Sequence, residues 1–127
     1  MTEPEPRKRV LVCGGRDFLD GARVGVVLSA IEPGIIIEGC ARGADALAED
    51  YARAHGVPIE HYPANWERDG RAAGYIRNRR MLAEGKPDIV VAFPGGRGTA
   101  DMVRQATIAG VAVISSASAF AETLRPR

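Results

Sequence analysis

The sequence is short of cysteine, of long apolar runs and of any excess of charge, and each shortage excludes a class of protein. Its two cysteines, Cys13 and Cys40, lie far apart and form no CxxC pair, which argues against both a disulfide framework and a zinc site. The 17 basic and 16 acidic residues leave a formal net charge of +1, so the overall charge favours neither a nucleic acid nor a membrane surface as partner. No apolar run approaches the length of a membrane span, and residues 1–9 do not resemble a signal peptide, so we expect a cytoplasmic protein.

The sequence does contain a regular alternation of strand-like and helix-like segments. With 127 residues, 46% of them hydrophobic, the chain has the size of one domain, and we expect a disordered tail at 1–7 followed by a single domain at 8–127. Short β-branched runs predict the strands, and apolar residues three or four apart predict the helices. This pattern predicts an α/β fold, a parallel five-stranded sheet with helices on both faces.

The boundaries of these segments follow from caps and breakers. Asp20 is expected to cap the first helix and Gly56 to end the second. The predicted strands cover residues 10–13, 35–37, 57–62, 89–93 and 111–114, the predicted helices cover 20–31, 44–55, 71–84, 99–109 and 116–124, and a polar loop is predicted at 63–70.

One glycine-rich stretch stands between the fourth predicted strand and the helix that follows it. Glycines let an anion approach the backbone, and the free N–H groups at a helix start bind phosphate. We therefore interpret this stretch as a phosphate-binding loop, and the alternative is a tight strand-to-helix turn without a ligand. Its residues are Pro94, Gly95, Gly96, Arg97, Gly98 and Thr99.

Other glycines also follow predicted strands, at Gly14-Gly15 and at Gly39. In parallel sheets ligands bind beyond the carboxyl ends of the strands, so we expect these turns to converge with the phosphate-binding loop. Together with nearby polar residues they give further candidate ligand contacts: Gly14, Gly15, Arg16, Asp17, Gly39, Arg42, Gly43, Asp45, Asn78 and Arg79.

The polar candidates each have a structural alternative. Arg16 could pair with a phosphate and Asp17 with a ribose hydroxyl, or they are a surface residue and a turn residue. Asp45 lies at a predicted helix start, where a carboxylate is favourable whatever else it does. Trp66 and Tyr62 either stack a nucleobase or fasten a loop to the core.

The consecutive residues of the basic helix cannot all face one way. Either Asn78 and Arg79 or Arg77 and Arg80 reach the cleft, or the whole basic face is solvated. The phosphate-binding loop has no lysine after its last glycine, as a Walker loop would, and no GxGxxG follows the first strand. No Ser-His-Asp arrangement or metal-spaced cluster is visible, and we expect no cofactor.

Five blocks of this sequence, in order, resemble the SLOG superfamily and within it the YspA-like (cpYpsA-related) branch. The resemblance implies a single Rossmann-like domain that binds nucleotides or nucleotide-derived ligands, and some members are proposed sensors in bacterial and phage conflict systems. It also suggests a homo-oligomer. The blocks are residues 14–18, 39–45, 62–66, 76–81 and 93–99.

A more distant resemblance is to the LOG phosphoribohydrolases, the lysine decarboxylase-like family whose hallmark is PGGxGTxxE with an upstream arginine-lysine pair. Residues 94–99 match, and Arg79 and Arg80 fall on the pair. The catalytic glutamate of that family falls on Met102, which neither activates water nor stabilises a ribosyl cation. Asp101 lies one position earlier, about 100° round a helix.

Two functional hypotheses follow. The favoured one is a module that senses or sequesters a nucleotide or nucleotide derivative. The alternative is an N-glycosidase that releases the base from a nucleoside 5′-monophosphate, with Asp101, Asp17 or Asp45 as the carboxylate and Arg79 assisting. Single-stranded DNA binding, as in the related Rossmann domain of DNA-processing protein A, is disfavoured by the near-neutral charge.

Overall fold

A computed structural model of the protein describes residues 8–116. The predicted tail at 1–7 and all but the first residue of the predicted helix at 116–124 lie outside this range. Strands and helices alternate within it: β1 (Arg9–Cys13), α1 (Gly21–Ile31), β2 (Ile35–Glu38), α2 (Ala44–His55), β3 (Ile59–His61), α3 (Trp66–Asp69), α4 (Ala73–Gly85), β4 (Ile89–Ala92), α5 (Arg97–Ile108) and β5 (Ala112–Ser115). Among the described helices, none has the length and apolar character needed to cross a membrane.

The strands form one parallel sheet in the order β3-β2-β1-β4-β5. The predicted α/β class and the five-stranded parallel sheet are therefore confirmed, and the arrangement is Rossmann-like. The strand order reverses between β1 and β4, which are neighbours through the pairs Val10↔Ile89 and Cys13↔Ala92. Ligand sites in such sheets lie beyond the carboxyl ends of the strands at this point.

Both faces of the sheet are buried, which explains why the strands are continuous apolar runs. Val10 and Val12 of β1 pack on one face with Leu28 of α1 and Ala48 of α2. Alternate residues point to opposite faces of a strand. Leu11 and Cys13 accordingly pack on the other face, in a cluster that holds Met81 of α4 and Met102 and Ala106 of α5.

Several predicted boundaries differ from those in the structure; α4, for example, begins at Ala73 rather than at residue 71. The region 63–70 is not wholly a loop, because Asn65 accepts a hydrogen bond from the N–H of Arg68 at 3.0 Å and caps the short helix α3. One helical turn has no apolar periodicity to reveal it. The third strand is shorter than predicted, covering Ile59–His61, and α5 begins at Arg97 rather than Thr99.

The predicted cap of the first helix is confirmed and gives a direct stability test. Asp20 accepts a hydrogen bond from the N–H of Arg23 at 3.0 Å. We expect Asp20→Ala to lower the free energy of unfolding by about 1 kcal/mol, because the first turn loses its acceptor. Asp20→Asn keeps an acceptor of equal capping strength and should stay within a few tenths of a kcal/mol of wild type. Urea unfolding distinguishes the two, and equal losses would contradict the capping role.

Candidate ligand-binding cleft

The turns that follow β1 and β4 lie against each other where the strand order reverses. The N–H of Gly15 donates to the carbonyl of Pro94 at 2.9 Å. A Cβ atom on Gly15 would lie 2.9 Å from that same carbonyl oxygen, and one on Gly95 would lie 2.6 Å from the nitrogen of Gly15. Only residues without a side chain allow this backbone approach, which brings both turns to one edge of the sheet.

The loop between β2 and α2 reaches the same edge and folds around a buried carboxylate. Asp45 accepts hydrogen bonds from the N–H groups of Gly39 at 3.1 Å and Ala41 at 3.2 Å. The N–H of Ala44 donates to the carbonyl of Gly15 at 3.2 Å, which ties the loop to the turn after β1. Burial raises the pKa of Asp45 to about 6 and outweighs the lowering effect of the two hydrogen bonds.

The first turn of α5 opens onto the space between these turns. Gly96 is the N-cap, and no side chain of the described residues caps this end of the helix. The N–H of Ala100 donates to the carbonyl of Gly96 at 3.0 Å, so the N–H groups of residues 97–99 have no partner within the helix. A Cβ atom added at Gly96 or Gly98 would meet nothing within 4 Å.

Arginines are most of the charged residues in the cleft between these turns and α4. The cleft has a volume of about 360 Å³, within the roughly 300–1,000 Å³ of small-molecule sites. Among the described residues that line it, four are arginines and one is a carboxylate, namely Arg16, Arg71, Arg77, Arg97 and Asp45. This imbalance favours an anionic ligand.

Two of these arginines are positioned by their neighbours. The guanidinium of Arg16 lies 5.2 Å from the centre of the Trp66 ring, which is half exposed and also lines the cleft. Arg77 donates from Nη1 to the carbonyl of Gly39 at 2.6 Å and from Nε to Oδ1 of Asn78 at 3.1 Å. Fixed cations and a flat aromatic ring therefore share one cavity.

Asn78 and Asp101 form a buried network beside the first turn of α5. Asn78 donates from Nδ2 to the carbonyl of Gly98 and to Oδ2 of Asp101, both at 3.1 Å. Gln105 and Arg104 donate to the same carboxylate at 2.7 and 2.8 Å. Burial acts to raise the pKa of Asp101, but these three hydrogen bonds outweigh it and hold that pKa below its usual range.

Eight candidate residues from the sequence do not line this cleft, namely Asp17, Gly39, Arg42, Gly43, Arg79, Pro94, Gly95 and Asp101. Asp17 and Arg42 pair with each other at 3.4 Å, and both side chains are largely exposed. Arg79 and Asp101 line a separate groove of about 720 Å³ between α4 and α5. Met102, at the position of the LOG glutamate, is fully buried in the core, so no ligand in the cleft reaches it.

Other lining residues were not among the sequence candidates. Arg71 and Tyr75 line the cleft, but they lie where a loop was predicted to become a helix, and no glycine motif marks them. The sequence left open whether Asn78 and Arg79 or Arg77 and Arg80 reach the cleft, and in neither pair do both residues line it. Arg77 and Asn78 line it together, whereas Arg80 donates to Glu84 on the exposed side at 2.8 Å.

Comparison with known proteins adds to this geometry. A model of the YspA, cpYpsA-related SLOG family matches residues 8–68. The chain is also similar to the Gene 61 protein of Mycobacterium phage D29, with 36% identity over 120 residues that cover 85% of this chain and 95% of the phage protein. Because the similarity spans nearly all of that relative and the family match covers the first half of the fold, this chain belongs to the YspA, cpYpsA-related SLOG family.

Proposed function

We propose that this protein binds a nucleotide or nucleotide-derived ligand, with a phosphate on residues 94–99, and acts as a sensor or sequestering module. Membership of the SLOG family suggests nucleotide-related binding or processing. The observation that carries the proposal is the arginine-lined cleft at the uncapped first turn of α5. Helix N-termini of this kind bind phosphate through backbone N–H groups and the helix dipole.

The remaining lining suits the other parts of a nucleotide. Arg16, in the turn after β1, and Arg77 of α4, which donates to the carbonyl of Gly39, supply further positive charge to the lining. Trp66 offers a half-exposed ring on which a base can stack. The cleft is too small for several nucleotides in a row, which favours a mononucleotide or a similarly small derivative over a nucleic-acid strand.

Two features favour binding over hydrolysis of the glycosidic bond. Asp101 lies in the groove between α4 and α5, and its carboxylate already accepts three hydrogen bonds. A depressed pKa further weakens it as a general base. Met102 is fully buried and offers no catalytic group.

The direct test is calorimetry of the full chain with AMP, GMP, CMP, UMP, ADP-ribose and NAD, with chromatography of the same samples for free base. We expect saturable binding of at least one ligand and no released base. Release of free base would instead establish the glycosidase, and its loss in Asp101→Asn, Asp45→Asn or Asp17→Asn would identify the carboxylate. Tighter binding of single-stranded DNA that falls steeply with salt would contradict both readings.

Gly96→Val tests the phosphate-binding loop itself. A Cβ atom added there meets nothing within 4 Å, so we expect the fold to be retained while the valine occupies the space that a phosphate needs. We expect affinity for the bound nucleotide to fall at least tenfold, which is about 1.4 kcal/mol, at an unchanged melting temperature. Gly25→Val in α1 is the matched control, because its Cβ also meets nothing within 4 Å. Unchanged affinity of Gly96→Val would show that the phosphate lies elsewhere.

A further inference from the structure

Three side chains with metal-binding atoms meet at the carboxyl ends of β2 and β3, outside the cleft lining. Glu38 and His61 are the last residues of these strands and are register partners in the parallel sheet. Oε1 of Glu38 lies 3.3 Å from Nε2 of His61 and 3.6 Å from Sγ of Cys40. All three potential ligand atoms lie within 4.8 Å of one another.

Two of the three separations match a tetrahedral metal site. Zinc binds oxygen, nitrogen and sulfur at about 2.0–2.3 Å, which places the ligand atoms of one ion roughly 3–4 Å apart. The distances from Oε1 of Glu38 to Nε2 of His61 and to Sγ of Cys40 fall in that range. A single ion can therefore bridge the group with small side-chain movements.

The backbone of Cys40 supports a specific use of its thiol. Within residues 8–116 the non-glycine residues with positive φ are Glu32, Cys40 and Lys86, and the first and last of these terminate helices. Cys40 terminates none, yet it adopts a φ of +62°, a conformation that costs energy for a residue with a side chain. In this conformation its N–H donates to Oε2 of Glu38 at 2.9 Å while its thiol contacts Oε1.

We propose that Glu38, Cys40 and His61 bind a divalent transition-metal ion of the zinc class. Nε2 of His61 also forms a 2.6 Å hydrogen bond with Oε1 of Glu49 in α2, which a bound ion would displace. Thiolate and imidazole together select zinc and its neighbours, whereas magnesium and calcium prefer an all-oxygen shell. Cys40 also lines a hollow of about 430 Å³ with Arg16 and Arg77, so the ion would lie beside the nucleotide cleft.

Spacing along the chain did not reveal this group, because its histidine comes from the neighbouring strand. The pairing of Glu38 with His61 depends on the register of β2 against β3. His61 lies at least 21 positions beyond the other two residues, so it can be placed beside them only when that register is known. The site is also independent of the proposed nucleotide function, since none of its three residues lines the cleft at the start of α5.

The test is titration of the untagged full chain with Co²⁺, whose thiolate-to-metal charge-transfer absorption reports a bound cysteine. We expect a saturable near-ultraviolet band that Zn²⁺ displaces and that excess Mg²⁺ leaves in place. Cys40→Gly should abolish the band, and because glycine suits the positive φ of this position, the variant should fold at least as well as wild type. His61→Ala should weaken Co²⁺ binding at least tenfold.

Matched controls use the second cysteine and the second histidine. Cys13 is buried in the core and His55 is exposed on α2, and neither belongs to the cluster. Cys13→Ala and His55→Ala should therefore retain the band and its affinity. Absence of a band in wild type, or a band that persists in Cys40→Gly, would overturn the proposal.

Discussion

Replacing Gly43 by alanine should lower the free energy of unfolding by about 2–5 kcal/mol. Gly43 has a φ of +74° and a ψ of −126°, a combination that only glycine reaches without strain. An added Cβ would collide with the carbonyl oxygen of Gly15 and lie 2.6 Å from the carbonyl of Arg16. These are backbone atoms of the turn after β1, so they cannot swing aside as a flexible side chain would. Urea unfolding followed by circular dichroism measures the loss.

Gly56→Ala is the control that separates strain from overlap. Gly56 also has a positive φ, +67°, but a Cβ there would meet nothing within 4 Å. We expect it to cost only about 1–2 kcal/mol, from the backbone conformation alone. Equal losses of unfolding free energy in the two variants would mean that the loop between β2 and α2 does not depend on close contact with the turn after β1. That result would contradict the packing that forms the edge of the cleft.

The strand-and-helix order was predictable because each element carries its own local signal. β1, β2 and β4 are short β-branched runs buried on both faces, and Asp20 and Gly56 mark helix ends by residue type. Where the local signal was weak the prediction failed. The single turn of α3 depends on one cap by Asn65, and the glycine-rich start of α5 looked like loop although its first turn is helical.

The edge of the sheet on which the site lies could be predicted, but not the side chains that face the cleft. Glycine turns at the ends of parallel strands must meet, and the turns at Gly15 and Gly95 do. Whether Arg77 or Arg79 faces inward depends on the rotation of α4 about its axis, since successive residues differ by about 100°. Packing of the whole helix against the sheet decides this rotation. Arg77 consequently lines the cleft, and Arg79 lines the groove between α4 and α5.

The substitutions Asp45→Asn and Asp101→Asn should change stability with opposite dependence on pH. Both carboxylates are buried. Burial is the stronger influence on the pKa of Asp45 and raises it, whereas hydrogen bonds outweigh burial at Asp101 and lower its pKa. The pKa of Asp45 is raised from 3.8 to about 6. Its stabilising contribution is therefore complete below about pH 4 and is lost as the pH rises through 6. The rise in the pKa of Asp45 from 3.8 to about 6 corresponds to roughly 3 kcal/mol of folding stability lost when the carboxyl group ionises.

Asparagine at position 45 keeps an oxygen that can accept from Gly39 and Ala41 but does not ionise. Relative to wild type, Asp45→Asn should therefore gain stability between pH 4 and 6, by about 1–3 kcal/mol, and then level off. Melting curves of both proteins at each pH measure this difference. A stability difference that stays constant between pH 4 and 6 would show that ionisation of Asp45 does not destabilise the fold.

Asp101→Asn should behave in the opposite way because the folded protein lowers the pKa of Asp101. Its stabilising contribution is present above the ordinary carboxyl pKa and is lost as the pH falls through the lowered value in the folded protein. Asparagine keeps only one acceptor oxygen, so its N–H₂ group must face either Arg104, which donates to Oδ1, or Gln105 and Asn78, which donate to Oδ2, and at least one donor loses its acceptor. We expect a loss of about 1–3 kcal/mol at neutral pH that shrinks below pH 4. If the stability of both variants relative to wild type changed in the same direction with pH, it would be wrong that burial controls the pKa of Asp45 and hydrogen bonds control that of Asp101. A helix N-terminus lowers the pKa of any carboxylate near it, so the helix dipole alone cannot produce opposite signs.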